Sequence, residues 1–183
     1  MTLSKITISV FLSSLVVHGL YVFWLGPVMS LDSQTYSRWA NFLIDVNFNY
    51  SRFLQGETFV IPSYFYTGFV TIVAFLKSIL GDQWHWGLIF LNLLAYAGAT
   101  ALIARIIFLT TNNSIAALIG AGLFIINFES FQWVRYVLSD TTFMFVIVAT
   151  FYLIFKFVLD KSEVNVFFMG TGICLLFVVL TSY

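Results

Sequence analysis

Six apolar runs, separated by short polar stretches, make up most of this 183-residue chain. They cover residues 6–29, 62–80, 87–109, 115–128, 141–159 and 164–180. A helix needs about 20 apolar residues to cross the roughly 30 Å hydrocarbon core of a bilayer, and several of these runs approach or exceed that length. The pattern therefore predicts an all-α, polytopic transmembrane helical bundle that forms one domain over residues 1–183.

The first run follows Lys5 and contains one ionisable side chain, His18. A cleaved signal peptide is the alternative, but its apolar region would span only about 7–15 residues. We therefore expect an uncleaved first span with Lys5 on the cytoplasmic side. A histidine inside a span either bonds to a neighbouring helix, which is the interpretation we favour, or carries a proton or binds a metal.

A polar stretch follows the first run and changes the periodicity. Tyr36, Trp39, Leu43 and Val46 recur at spacings of three and four, which predicts one apolar face of an amphipathic juxtamembrane helix lying along the membrane interface. Asp32 stands at its start, either as the residue that caps the helix or as a functional acid. Tyr36 and Trp39 are either interface anchors or substrate contacts.

A second polar stretch runs from Glu129 to Asp140 and precedes the fifth apolar run. Asp140 opens that run, where either it or Ser139 is a candidate helix cap. Arg135 either extends to the lipid headgroups or binds a phosphate, because a guanidinium can hold two phosphate oxygens at once. These two polar stretches carry the only concentrated chemistry of the sequence.

The sidedness of the two acids is a problem for any shared site. If all six runs crossed the bilayer, Asp32 and Asp140 would lie on opposite sides. If the run 62–80 does not change sides, being re-entrant, interfacial or bent, both acids lie outside and Lys5, Arg105, Lys156 and Lys161 lie inside. This second arrangement fits the cytoplasmic excess of Lys and Arg modestly better, so we predict it.

Composition agrees with a membrane protein and excludes other classes. Charged residues make up 9% of the chain, against about 25% in soluble domains. A net charge of +0 provides no basic surface for nucleic acid. The single cysteine, Cys174, cannot form an intrachain disulfide and is expected to be a packing residue. The sequence contains no Gly-rich phosphate loop, no Ser/His/Asp signature and no cluster of metal ligands.

The order of short motifs resembles the N-terminal part of a GT-C glycosyltransferase, the class of protein O-mannosyltransferases and bacterial aminoarabinose transferases. After a first span, these enzymes have an acid, a Tyr and a small residue in a juxtamembrane helix, and then a Pro-Tyr start to the next segment. An Arg and an Asp open a later span. The matching residues here are Asp32-Ser33, Tyr36, Ala40, Pro62-Ser63-Tyr64, Arg135 and Asp140. Where the family usually has Pro-Pro, this chain has Ile61-Pro62.

The resemblance implies transfer of a sugar from a polyprenyl-phosphate-linked donor to an acceptor, at the outer face of the cell inner (cytoplasmic) membrane. It implies Asp32 as the base, Asp140 as a second catalytic acid and Arg135 as the phosphate ligand. Tyr36 and Trp39 would line the substrate pocket. No cofactor is required by it, although a divalent cation at Asp32 and Asp140 would be compatible. The resemblance leaves the sugar and the acceptor undefined.

Family members are several hundred residues long, so we expect this chain to be the N-terminal part of a longer module. Two alternatives come from other classes. A transporter or permease fragment would carry ionisable residues in the middle of its spans, where only His18 lies here. A non-catalytic membrane subunit would use small-residue helix faces to bind a partner.

Overall fold

A computed structural model describes residues 2–55, 66–160 and 172. Of these, 87% are helical, and the only β pairing among them is an isolated bridge between Val28 and Tyr136. The all-α prediction is therefore confirmed for the described residues. The predictions on Pro62-Ser63-Tyr64 and Cys174, and on the run 164–180 apart from Gly172, lie outside them.

Eight α-helices follow one another in the described part of the chain. They are α1 (Leu3–Leu25), α2 (Leu31–Asp45), α3 (Tyr50–Leu54), α4 (Thr67–Leu80), α5 (Trp84–Thr111), α6 (Ser114–Ile125), α7 (Phe128–Phe131) and α8 (Asp140–Asp160). Short 3-10 helices at Gly81–Gln83 and Gln132–Arg135 precede α5 and follow α7.

Three helical stretches are long and apolar enough to cross a membrane: Leu3–Leu25, Thr67–Thr111 and Asp140–Val158. The pair Ser114–Ile125 and Phe128–Arg135 would form a fourth if its two halves, bent by 59°, are taken as one broken span.

The packing of α1, α5 and α8 defines two ends of the helical core. Residues near the start of α1 pack with residues near the end of α5, as Ile6 does with Ala104. Nearer the other end, the ring of His18 lies 4.5 Å from the ring of Tyr96. Helices α1 and α5 are therefore antiparallel. We call the end where α1 finishes and both α5 and α8 begin the pocket end.

The 45-residue stretch Thr67–Thr111 is two helices rather than one rod. Gly81 has a φ of +55°, a left-handed conformation that glycine adopts without steric cost and that ends α4. The side chains of Leu76 and Leu80 lie against Gly87, whereas residues 76 and 87 of one straight helix would be about 16 Å apart. Since α1 finishes and α5 begins at the pocket end, the chain between them starts and returns there. For the described residues 66–80, this geometry is the one that the predicted arrangement requires, and the sidedness of the run 62–80 in a membrane stays a prediction.

The break after α6 is held by two buried side chains. A helix end leaves carbonyl groups without intrahelical partners, and such groups are costly where no water reaches them. The Tyr96 hydroxyl donates to the Phe124 carbonyl at 2.8 Å, and His18 Nε2 lies 3.1 Å from the Ile125 carbonyl. His18 is 1% exposed, so these contacts match the interpretation that it bonds to a neighbouring helix.

Candidate functional site

A pocket of about 250 Å³ lies at the pocket end and contains both predicted acids. It is lined by Asp32, Tyr36, Tyr66, Trp133, Leu138, Ser139 and Asp140. The volume corresponds to about eight water molecules at roughly 30 Å³ each. The pocket has room for one small polar ligand flanked by aromatic rings, and it brings together chain segments more than 100 residues apart.

Asp32 does not cap helix α2, so the simplest structural explanation for this acid is wrong. Ser30 is the cap: its Oγ accepts from the Ser33 N–H at 3.2 Å, and its own N–H donates to Ser33 Oγ at 2.9 Å. Asp32 lies in the first turn and is exposed.

A prediction follows from this capping pair. Ser30→Ala should lower the free energy of unfolding by about 1 kcal/mol, because the Ser33 N–H loses its acceptor. Asp32→Asn should cost only about 0.3–1 kcal/mol, through the lost interaction with the helix dipole. Unfolding by SDS titration in mixed micelles measures both. A larger loss for Asp32→Asn than for Ser30→Ala would contradict the assignment of the cap.

Long-range hydrogen bonds bring the segment that carries Asp140 against the start of α2. Ser33 Oγ, whose residue follows Asp32, donates to the Val137 carbonyl at 2.8 Å. The Val28 N–H donates to the Arg135 carbonyl at 2.8 Å, and the Val137 N–H donates to the Val28 carbonyl at 3.1 Å. These bonds join residues 28–33 to residues 135–137, so the two acids are held together through the main chain.

Asn92 of α5 supports the same segment from the other side. It is fully buried, and its Nδ2 donates to the Tyr136 carbonyl at 3.0 Å. Its Oδ1 accepts from the Thr142 hydroxyl at 3.4 Å. Tyr136 and Thr142 lie four residues before and two residues after Asp140, so Asn92 bonds to the chain on both sides of that acid.

Asp140 is the first residue of α8, and the position before the helix belongs to Ser139. The Ser139 carbonyl accepts the first helical bond, from the Phe143 N–H at 2.9 Å. Ser139 therefore occupies the capping position that we had assigned to either residue. Asp140 is partly buried, in contrast to Asp32 at the rim.

Tyr36 forms the buried wall of the pocket next to both acids. Burial raises the pKa of the Tyr36 phenol above its ordinary value, and Tyr66, Asp32 and Asp140 raise this pKa further, whereas a hydrogen bond with the Ser139 side chain lowers it. The phenol is therefore neutral at physiological pH. A neutral hydroxyl in this position can donate a hydrogen bond to a ligand in the pocket.

Trp39 is buried against the aromatic rings of the pocket and is not exposed at the surface of α2, where an interface anchor would lie. It is 6% exposed, and its ring lies 6.0 Å from the ring of Tyr36 and 5.9 Å from that of Tyr66. The predicted apolar face of α2 is thus real, but it packs against α4. Trp39 does not line the pocket, so its predicted role as a direct substrate contact has no geometric support.

Arg135 is not among the residues that line the pocket. Its guanidinium carbon is 5.9 Å from the centre of the Tyr21 ring on α1, which is a cation–π geometry. Its Nε is buried and has no hydrogen-bond partner among the described residues. The role of Arg135 as a phosphate ligand therefore stays a prediction.

Comparisons with protein-family models, with curated proteins and with solved structures give no match. The candidate site is therefore interpreted from its own geometry. The resemblance to GT-C glycosyltransferases stays a prediction.

A divalent cation also stays a prediction. Carboxylate and hydroxyl oxygens are suitable ligands for Mg²⁺ or Ca²⁺, and the pocket lining offers Asp32, Asp140, Ser139 and Tyr36. Within the described ranges, however, there is no group of three or more His, Cys, Asp or Glu side chains that could hold a metal.

Five residues of the site were absent from the sequence-based assignment of site residues. Tyr66, Trp133, Leu138 and Ser139 line the pocket, and Asn92 supports it. Asn92 carried a usable signal, because it is a strongly polar residue in the middle of an apolar run and must find a partner there. Tyr66 and Trp133 carried none, because the chain is rich in aromatic residues at many equivalent positions.

Proposed function

We propose that this chain belongs to a polytopic membrane glycosyltransferase that takes a sugar from a polyprenyl-phosphate-linked donor, with the pocket of Asp32 and Asp140 as its reaction site. The observation that supports the proposal is the presence of both acids in one 250 Å³ pocket. The resemblance required this juxtaposition, and strict alternation of all six apolar runs would have prevented it.

The chemistry needs a base beside the acceptor. The acceptor oxygen attacks the anomeric carbon of the sugar, and the bond from that carbon to the phosphate oxygen breaks with its electron pair left on the phosphate. The acceptor proton passes to a carboxylate, which we assign to Asp32 because it lies at the open rim of the pocket. Asp140, deeper in the lining, would orient the acceptor or the sugar hydroxyls.

The aromatic lining suits a sugar ring. Tyr36, Tyr66 and Trp133 provide apolar faces, while the phenol of Tyr36 and the hydroxyl of Ser139 provide hydrogen bonds. This combination of apolar walls and a few convergent polar groups is typical of small-ligand sites. The volume is small for a site of this kind, which favours one monosaccharide unit over a longer glycan.

The membrane assignment and its orientation are part of the proposal. The three apolar stretches support a multi-pass inner-membrane protein, with the pocket end at the outer face. Lys5, Arg105 and Lys156 lie toward the opposite end, as a cytoplasmic side would require. The pocket end also carries Lys and Arg residues, so the outer-face assignment depends on the resemblance more than on charge. The transporter alternative loses support, because His18, the ionisable residue in mid-span, faces backbone carbonyls.

The experiment is transfer of labelled sugar in isolated membranes. The full open reading frame would be expressed, tritiated polyprenyl-phosphate hexoses would be added, and label leaving the lipid fraction would be counted. We expect transfer above that of membranes from cells with an empty vector. Wild-type membranes that transfer no label from any hexose donor, to endogenous acceptors or to water, would contradict the proposal for hexose donors.

A further inference from the structure

We infer that Asn92 is the positioning residue that sets the separation between Asp32 and Asp140, and this inference rests on the proposed function where it concerns catalysis. The assignment begins from burial. A fully buried amide in an apolar helix is costly unless its groups are hydrogen-bonded. Both ends of the Asn92 amide are used, and both partners belong to the segment that carries Asp140.

The segment that carries Asp140 is held by hydrogen bonds from two sides. Residues 136–142 leave the 3-10 helix, pass through an extended stretch at Tyr136 and enter α8 at Asp140. Two elements hold it, with Ser33 and Val28 bonded on the α2 side and Asn92 on the α5 side. Without Asn92, the loop would keep its hydrogen bonds on the α2 side, and the first turn of α8 would lose its hydrogen bond to α5 through Thr142, while α8 would still pack along α5.

The position of Asp140 should affect the rate of sugar transfer. Asn92 is absent from the pocket lining, so it is expected to act through Asp140 and not on the substrate. A shift of about 1 Å in a reacting group can lower a rate by about a hundredfold. Asn92→Leu should therefore lower kcat for sugar transfer by about a hundredfold, with KM for the donor changed by about twofold or less.

Thr100→Val is the matched control. Thr100 is also on α5 and fully buried, and its hydroxyl donates to the Tyr96 carbonyl at 2.8 Å. It lies two helical turns from Asn92 and bonds to no residue of the pocket. A general weakening of α5 would affect both variants, whereas loss of positioning should affect only Asn92→Leu.

A second readout does not depend on activity. In a C174S background, D32C and D140C together should be joined by a short bismaleimide in membranes, because both positions line one small pocket. Adding N92L should slow this cross-linking severalfold, and adding T100V should leave its rate unchanged. If Asn92→Leu prevents folding, Thr142→Val serves in its place, because it removes one of the two Asn92 hydrogen bonds and changes little volume. It should slow cross-linking relative to the D32C/D140C protein without further substitutions.

The two readouts separate the two proposals. Slowed cross-linking by N92L or T142V without any sugar transfer by the wild type would support the positioning role and contradict the glycosyltransferase assignment for the donors tested. Unchanged cross-linking in N92L, or unchanged in T142V where N92L does not fold, would overturn the inference whatever the activity.

Discussion

Asp32→Asn should lower the rate of sugar transfer by about 10²- to 10⁴-fold, which is the range that a positioned general base contributes. Asparagine keeps the size and the hydrogen-bonding capacity of the side chain but cannot accept the acceptor proton. The fold should survive, because Ser30 and Ser33 form the capping pair without help from Asp32. Label transfer in membranes that contain equal amounts of each variant measures the effect.

Asp45→Asn is the control for this substitution. Asp45 is the last residue of the same helix, is exposed and is absent from the pocket lining. Removing its charge should leave transfer unchanged. If Asp32→Asn transferred sugar as fast as Asp45→Asn, the carboxylate of Asp32 would have no part in the reaction.

Asp140→Asn tests whether the two acids act as one unit. Residues that share a catalytic task are strongly non-additive, so the double variant should be little slower than the slower single variant. Independent roles would instead multiply the two rate losses. The rate loss of the double variant, divided by the product of the two single rate losses, therefore tests a shared catalytic task more directly than either single loss does.

The sequence predicted the helices well and their assembly only in part. Apolar length and periodicity located α1, α2, α5 and α8 to within a few residues, because these helices bury or expose continuous apolar faces. The bend after α6 was not predicted, because the apolar run continues to residue 128 with no residue that ends a helix at Ile126 or Asn127. That break depends on His18 and Tyr96, which come from other helices and bond to the freed carbonyls.

The candidate site could be predicted from the sequence less completely than the helices. The motif order selected Asp32 and Asp140, but counting spans left their proximity undecided. Their meeting depends on the bond from Ser33 to the Val137 carbonyl and on main-chain pairing between Val28 and residues 135–137. Such main-chain contacts leave no residue-type signature. Arg135 was selected by the same motif order and by its chemistry, but it is absent from the pocket lining, and its guanidinium lies 5.9 Å from the Tyr21 ring.

Trp39→Ala should destabilise the protein by about 3–5 kcal/mol, the usual cost of removing a buried large aromatic side chain. The Trp39 ring is buried where α2 packs on α4, close to the rings of Tyr36 and Tyr66, so its removal should leave a cavity beside the pocket wall. SDS unfolding titration followed by circular dichroism measures the loss. Transfer activity should fall as well, because Tyr36 would lose its support.

Trp24→Ala is the matched control, and the comparison decides what holds α2 in place. Trp24 is 87% exposed on α1, so its removal should change the free energy of unfolding by about 0.5 kcal/mol or less. An amphipathic helix alone would suggest that the bilayer interface holds α2. In that case the buried Trp39 and the exposed Trp24 would contribute similar amounts to the free energy of unfolding in micelles. A large difference between the two variants would mean that α4 holds α2. In that case the depth of Asp32 is set by helix packing and not by lipid, and the pocket should keep its geometry when the protein is taken out of the membrane.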